Sequence, residues 1–218
     1  MALYRSGKTT RGELIREDAD IARWAILPRT FYRRPTIEVA RDLIGMTLVH
    51  GGTAGRIVEA EAYLGREDPA AHASRGITPR TRVLFGPPGH VYVYLIYGMY
   101  ECLNLVAEPE GTPGCVLIRA LEPLTGIALM RRRRGVRSLI GLASGPGKLT
   151  VALGITRLLN GSDATGGPLT VRRPPVAPFL NIGCGPRIGV RKAADWPLRF
   201  FLGGSPFLSD GGRSAVYA

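Results

Sequence analysis

The feature that most constrains this fold is a pair of segments whose side chains alternate with the two-residue period of a β-strand. Residues 55–63 read Gly-Arg-Ile-Val-Glu-Ala-Glu-Ala-Tyr, and residues 92–100 read Tyr-Val-Tyr-Leu-Ile-Tyr-Gly-Met-Tyr. Successive side chains of a strand point to opposite faces of its sheet. The dipeptide Tyr97-Gly98 near the end of the second segment favours a tight hairpin turn. These segments therefore predict a sheet that carries a β-hairpin.

Strand and helix signals do not alternate in the regular order that a parallel sheet requires. Alternating or β-branched runs predict strands at 46–50, 55–63, 91–96, 101–106, 115–121, 169–172 and 198–202. Helical periodicity predicts helices at 35–45, 123–134 and 145–153, which start at proline or glycine. This mixture predicts the α+β class with a largely antiparallel sheet.

The chain has 218 residues, 45% of them apolar, which suits one domain with a substantial core. Residues 1–27 are polar and charged, so we interpret them as a flexible basic N-terminal arm. Residues 28–218 then form the folded domain. The loop-rich stretch 64–90 lies inside it, and a long ordered loop in a compact domain is usually functional.

A formal charge of +12 indicates a polyanionic partner, because each neutralised phosphate releases condensed counterions. Two other interpretations stay open: an arginine-rich surface that only keeps the protein soluble, and binding to an anionic membrane surface. The chain starts without a signal-peptide core, and its longest apolar run, near 91–100, is too short to span a bilayer. Three scattered cysteines form no disulfide framework, so we expect a reducing, cytoplasmic setting.

Two carboxylates two residues apart are the first candidate catalytic residues. Glu59 and Glu61 share a strand face with Tyr63, about 7 Å apart by strand rise. If both are buried, their repulsion raises at least one pKa, which suits a general base. Alternatively, one of them forms an ion pair with Arg56 or Arg119. A glycosidase carboxylate pair has similar spacing, but a strongly basic chain with few aromatic platforms disfavours a sugar site.

The aromatic strand offers a second candidate function. Tyr92 and Tyr94 share one face, and Tyr97 stands at the hairpin tip beside Gly98. An aromatic wedge on a hairpin can enter a base stack and fill the gap that a flipped nucleotide leaves. The alternative is that these tyrosines are core residues, since tyrosine is a common strand former.

A metal site is not predicted, because His50, His72 and His90 are isolated from one another and lack ligand spacing. Asp68 precedes His72 by four residues and is positioned to orient its ring. Gly145-Pro-Gly-Lys148 departs from the phosphate-loop pattern, although this helix start and Lys148 could bind one backbone phosphate. The run 131–134 is four arginines, which either face solvent or follow a nucleic-acid backbone.

Many short segments together resemble the alkyladenine (3-methyladenine) DNA glycosylase family. They occur in order between Phe31 and Ser209, so the resemblance covers most of the chain. The segments are Leu43–Gly45, Arg56–Tyr63, Asp68–His72, Thr78–Arg80, Phe85-Gly86, Tyr92–Gly98, Cys102–Asn104, Val116–Glu122, Ser144–Leu149, Arg187–Gly189 and Pro197–Phe200. The resemblance implies a single mixed domain with a curved antiparallel sheet, flanking helices and a protruding hairpin that inserts into DNA.

The resemblance also implies roles for residues at the reacting bond. Glu61 is similar to the general base that activates water, and Arg119 and the Ile188 carbonyl to the groups that hold that water. Tyr97 is similar to the wedge that enters the minor groove. Arg80 is expected at the DNA backbone together with Lys148.

A base pocket is implied by the same resemblance. Tyr63 and His72 are similar to one wall of this pocket, and Tyr94 to the ring that stacks from the opposite side. The His72 backbone amide is expected to contact the purine edge. Asn104 is similar to the residue that obstructs the exocyclic amine of guanine.

The resemblance therefore implies a monofunctional DNA base-excision repair glycosylase without a cofactor or metal. We expect a monomer that excises 3-methyladenine and 7-methylguanine from double-stranded DNA and is associated with a bacterial nucleoid; deaminated and etheno purines stay open as further substrates. One alternative is a non-catalytic module that recognises distorted DNA or RNA. Another is a tRNA-binding domain of the formyltransferase type, which would prefer structured RNA.

Overall fold

A computed structural model describes residues 21–176 and 180–210. Within these ranges nine strands form one sheet: β1 Ala25–Ile26, β2 Thr47–His50, β3 Thr53–Tyr63, β4 Val91–Ile96, β5 Tyr100–Val106, β6 Cys115–Thr125, β7 Leu169–Arg173, β8 Ile182–Gly185 and β9 Arg199–Leu202. The α-helices are α1 Arg29–Tyr32, α2 Thr36–Asp42, α3 Ile127–Arg134 and α4 Pro146–Leu153. Short 3₁₀ turns occupy Gly65–Glu67, His72–Arg75, Arg82–Phe85 and Arg157–Leu159.

Each pairing in this sheet is antiparallel, and the main strand order is β1-β7-β2-β3-β6-β5-β4. The second half of β3 also pairs with β9, which in turn pairs with β8. β3 therefore has β2 and then β9 on one edge, and β6 on the other. Bulges interrupt the β3–β6 ladder on both sides of Glu59, and bulges bend a strand and increase its twist. The predicted α+β class with a curved, largely antiparallel sheet is confirmed.

The main core lies between one face of this sheet and the helices. Leu43 and Ile44 at the end of α2 pack with sheet residues Leu48, Ile57 and Ile118, all less than 2% exposed. Burying a side chain of this size contributes about 1.5–3 kcal/mol relative to leaving it in water. The core therefore anchors the two long strands, β3 and β6, that carry the candidate acidic site.

The β4–β5 hairpin follows the prediction closely. Ile96 pairs with Tyr100, and the Met99 N–H donates to the Ile96 carbonyl at 3.2 Å. Tyr97 and Gly98 both have positive φ, 53° and 69°. Glycine adopts this conformation freely, whereas tyrosine rarely does, and the tyrosine ring is 80% exposed. The turn therefore presents a large aromatic side chain to solvent.

The helix predicted at 123–134 needs correction at its start, and one strand of the sheet was missed. Pro123 lies in β6 rather than in a helix, opposite Gly55 beside an irregularity in the ladder, where a missing N–H is tolerated. The following helix begins at Ile127, after Gly126 with φ 72°. β8 was not predicted, because two of its four residues are glycines with little strand preference.

The proposed arm 1–27 lies mostly outside the described residues. At its end, Ala25–Ile26 pairs with β7, and Leu27 is buried. The end of the predicted arm is therefore part of the fold, because its strand pairs in the sheet and Leu27 packs in the core. Among the described residues, none of the helices combines the length and apolar character that crossing a bilayer requires.

Candidate active site

A cavity of about 330 Å³ opens between the end of β3, the β4–β5 hairpin and the loop before β9. This volume falls in the usual range of small-molecule sites. Seven residues to which the resemblance assigned roles contribute to its lining: Tyr63, His72, Tyr94, Tyr97, Asn104, Arg119 and Ile188. They come from segments more than 120 residues apart, so the fold brings one predicted set of residues together.

Glu61 lies directly behind this lining, with its side chain fully buried. The Ile188 N–H donates to Oε1 at 2.7 Å, and the Tyr63 hydroxyl donates to Oε2 at 3.0 Å. Arg119 Nη1 stands 3.2 Å from Oε1. Burial raises the pKa of Glu61 above its ordinary value, while Arg119 and the two hydrogen bonds oppose that rise. The result is a carboxylate of increased basicity, held from three sides.

Arg119 contacts both carboxylates of the strand. Its Nε donates to Glu59 Oε1 at 3.2 Å, and its Nη1 donates to the Ile188 carbonyl at 3.4 Å. Of the two arginines considered as ion-pair partners, Arg119 is confirmed, whereas Arg56 pairs with Glu122 at 3.0 Å. Arg119 therefore links Glu61 to the Ile188 carbonyl.

The cavity walls are aromatic. The rings of His72 and Tyr94 meet edge to face with centroids 4.6 Å apart, and Tyr92 lies 5.4 Å from Tyr94. Tyr92 and Tyr94 share a strand face, as predicted, and both line the cavity. Arg80 donates to the Tyr92 hydroxyl at 3.3 Å and stands 5.0 Å from the centre of the Tyr94 ring. Aromatic side chains of this kind suit a flat ligand.

His72 is neutral in this setting. Burial, reinforced by Arg80 and Arg75, lowers its pKa to about 4. Its Nδ1 lies 3.0 Å from the Tyr92 hydroxyl. The interpretation that Asp68 orients this ring is wrong, because Asp68 is turned toward a different partner.

That partner is Arg187, which sequence reasoning quoted only as part of a motif. Arg187 Nη2 donates to Asp68 Oδ1 at 2.9 Å, Nη1 contacts Oδ2, and both side chains are fully buried. The guanidinium also lies 4.7 Å from the centre of the Tyr63 ring. This ion pair therefore ties the loop after β3 to the segment that carries Ile188 and supports one wall of the cavity.

Asn104 is held at both ends of its amide. Its Nδ2 donates to the Tyr92 carbonyl at 3.2 Å, and the Cys115 thiol approaches its Oδ1 at 3.9 Å. Burial raises the pKa of Cys115 to about 12, so the thiol keeps its proton. Sequence reasoning missed Cys115, since a lone buried cysteine carries no signal in spacing.

Three further predicted sites lie on the surface. Lys148 is exposed in the first turn of α4, outside the cavity, and Arg80 is exposed at its rim. In the four-arginine run, Arg133 and Arg134 donate to the Ala152 and Leu142 carbonyls, both at 3.1 Å. These two arginines therefore have structural contacts. Among residues 21–176 and 180–210, no cluster of three or more metal-ligating side chains occurs.

Comparison with known proteins places this geometry in a family. The family described as Methylpurine-DNA glycosylase (MPG) matches residues 30–206. A protein from Methanoculleus marisnigri, named as a candidate 3-methyladenine DNA glycosylase, is 57% identical over 189 residues, covering 84% of this chain and 98% of the relative. Proteins with the same name from Rhodopseudomonas palustris and Methanocella arvoryzae are each 53% identical, covering 84% of this chain and 88% and 96% of themselves.

The family match and the relatives identify the chain as a DNA glycosylase, as the resemblance implied. Within that class, the chain belongs to the methylpurine-DNA glycosylase family.

Proposed function

We propose that this protein excises alkylated purines, 3-methyladenine and 7-methylguanine among them, from double-stranded DNA by hydrolysis. The observation that carries the proposal is the placement of Glu61, a fully buried carboxylate directly behind an aromatic cavity of about 330 Å³. A target base reaches such a cavity only after it has left the helical stack. The charge of +12 supports a DNA partner.

In the proposed reaction the glycosidic bond between C1′ and the purine nitrogen breaks, and its electron pair leaves with the base. Water forms the new bond to C1′ and gives a proton to Glu61. The other O–H of the water stays on the sugar and donates a hydrogen bond to the Ile188 carbonyl, while Arg119 holds Glu61 and that carbonyl in place. The buried carboxylate also stabilises the positive charge that develops on the sugar. The products are the free base and an abasic site.

Alkylation at N3 or N7 gives the purine a positive charge, which favours electron-rich ring faces. Tyr63 and Tyr94 line the cavity, and burial raises the pKa of both phenols, so they stay uncharged. The lowered pKa of His72 keeps it neutral beside a cationic base. The His72 ring therefore adds no positive charge of its own beside the base, and the His72 backbone amide is proposed to contact the purine edge.

Asn104 is proposed to exclude guanine, because its buried amide, held through Nδ2 by the Tyr92 carbonyl, has little room to move away from an exocyclic amine. Tyr97 is proposed to enter the minor groove and fill the space left by the flipped nucleotide. Arg80 and Lys148 are proposed to contact the DNA backbone. Hypoxanthine and ethenoadenine are neutral, so their excision would depend more on pocket fit than on charge.

The proposed enzyme acts as a monomer and leaves the strand uncut, since hydrolysis through Glu61 requires no amine nucleophile. Borohydride added during the reaction should trap no covalent protein–DNA adduct; a trapped adduct would establish a lyase step instead.

A single-turnover experiment tests the activity. Duplex DNA with one hypoxanthine, and separately methylated DNA, is incubated with wild-type protein, Glu61→Gln or Glu122→Gln, and abasic sites are then cut with alkali. Glu122 pairs with Arg56 on the same two strands and serves as the matched control. Base release by wild type and Glu122→Gln alone supports the proposal. Tight binding without release by any of the three would support the non-catalytic binding module.

A further inference from the structure

Glu59 is a buried carboxylate that the proposed reaction does not use. Its side chain is 0% exposed and does not line the cavity. Arg119 Nε and Arg199 Nη1 donate to Oε1 at 3.2 and 3.1 Å. The Ser209 hydroxyl donates to Oε1 at 2.9 Å, and the Ser209 N–H donates to Oε2 at 2.7 Å. Burying a carboxylate is costly, and these four donors offset that cost, so Glu59 is firmly held in one orientation.

We propose that Glu59 is a positioning residue, which orients the Arg119 guanidinium and thereby fixes Glu61 and the Ile188 carbonyl at the reacting bond. This inference rests on the proposed glycosylase activity. Glu59 itself stays outside the cavity, so it acts through Arg119 rather than on the substrate.

The contacts of Arg119 support this role because each of its nitrogens has its own partner. Nε donates to Glu59, Nη1 lies against Glu61 and the Ile188 carbonyl, and Nη2 donates to the Ser209 hydroxyl at 3.3 Å. A guanidinium is planar and rigid. Fixing Nε and Nη2 on one side therefore fixes the direction of Nη1, the nitrogen that faces the reacting groups.

The irregular backbone around Glu59 favours the contact between Glu59 and Arg119. Register shifts flank Glu59 in the β3–β6 ladder. Glu59 is paired with Ala120 and Ala60 with Ile118, so the ladder skips the backbone of Arg119. Bulges redirect side chains and are frequent beside active sites. On its other edge Glu59 pairs with Phe201 of β9, which supplies Arg199 from the same strand. Strand β9 and Ser209 thus hold Glu59 from behind.

The charges around the pair predict how the reaction should respond to pH. Glu59 faces Arg119, Arg199 and Glu61, and Asp210 lies 3.8 Å from Arg199. Glu61 faces Arg119, Tyr63 and the Ile188 N–H, with Arg187 and the Cys102 thiol near enough to interact electrostatically. Neutralising Glu59 removes a like charge beside Glu61 and leaves Arg119 with one carboxylate. Both changes favour ionised Glu61.

Glu59→Gln tests this inference through the pH profile of single-turnover excision on the better wild-type substrate. We expect the acidic limb of the profile to move to lower pH, and the rate on its plateau to fall about tenfold. The fall follows because Glu61 becomes a weaker base and Arg119 loses its charged anchor. DNA affinity should change less than twofold, and Glu122→Gln should match wild type in rate and pH profile.

Ser209→Ala is the second variant, since it removes one donor to Glu59 and one acceptor of Arg119 without changing any charge. We expect a smaller, several-fold loss of rate with the acidic limb unmoved. If Glu59→Gln fails to fold, Ser209→Ala decides alone. Wild-type rate and pH profile in every variant that folds would overturn the inference. An inactive wild type would instead refute the proposed function.

Discussion

The Tyr63 hydroxyl donates a hydrogen bond to Glu61 Oε2 at 3.0 Å, so one wall of the aromatic cavity and the buried acid form a single unit. The bond also stabilises ionised Glu61, whose pKa burial raises.

Replacing Tyr63 with phenylalanine should therefore raise the pKa of Glu61 further. A hydrogen bond to a charged group contributes about 1.5–3 kcal/mol, which corresponds to roughly 1–2 pKa units. The acidic limb of excision should move upward by about that amount, because ionised Glu61 is the active form. The pH profile of single-turnover excision measures this shift, with the exposed Tyr100→Phe as control. An unchanged limb would mean that another group controls it.

The buried pair of Asp68 and Arg187 should matter for stability. Asp68→Asn leaves Arg187 buried without its counter-charge and should lower the free energy of unfolding by about 3–5 kcal/mol. Asp42→Asn breaks the exposed pair with Arg34, 2.8 Å apart, and should cost about 0–1 kcal/mol. Urea unfolding at neutral pH measures both, and equal losses would contradict the prediction.

The same pair predicts an acid dependence. Burial by itself would raise the pKa of Asp68, but hydrogen bonds from Arg187 and two backbone N–H groups lower it below its ordinary value. Asp68 therefore contributes stability above the ordinary aspartate pKa and loses it as the pH falls through the lowered one. Urea unfolding should show a shallower acid loss for Asp68→Asn than for wild type.

His72 should make the fold less stable in weak acid. Its pKa is about 4 in the folded protein and about 6.5 in an unfolded chain, so the unfolded state binds more protons between these values. Stability should therefore fall as the pH drops from about 6.5 to 4. Melting temperatures across this range should fall more steeply for wild type than for His72→Gln. Parallel curves would show that His72 titrates normally in the folded protein.

Replacing Tyr97 should affect stability and excision in opposite ways. Because Tyr97 has φ of 53°, Tyr97→Gly relieves its backbone and should leave the melting temperature equal or higher. The same change removes the proposed wedge. Excision from fully paired DNA should fall about 10- to 100-fold, and less where the target base is already mismatched. Equal losses on both duplexes would argue against a role in flipping.

Lys148 should contribute to DNA affinity without distinguishing damaged from undamaged DNA. Lys148→Ala should weaken binding to damaged and undamaged DNA equally and reduce the slope of log affinity against log salt by about 0.9. Arg173→Ala, at an exposed position in β7 near the opposite edge of the sheet from the β4–β5 hairpin, should leave the slope unchanged. Filter-binding titrations at several salt concentrations give both slopes.

Local pattern was enough for most of the strands and for the hairpin, and the family resemblance supplied the set of residues that line the cavity. The two-residue alternation of 55–63 and 92–100 determines which side chains share a face, because strand geometry is set within each segment. Tyr97-Gly98 likewise specifies its own turn. The motifs around Glu61, His72 and Asn104 identified the family before the fold was known.

The contact partners of residues that are distant in sequence could be identified only from the tertiary structure. Asp68 was paired with His72, four residues away, but its partner is Arg187, 119 residues away. Glu59 was indistinguishable from Glu61 by spacing, and their environments differ because β9 and Ser209 close around Glu59 while Glu61 adjoins the cavity lining. The two-residue alternation of a strand determines the face of the sheet to which a side chain points. What lies opposite depends on bulges, register and distant loops, and these are decided when the whole core packs.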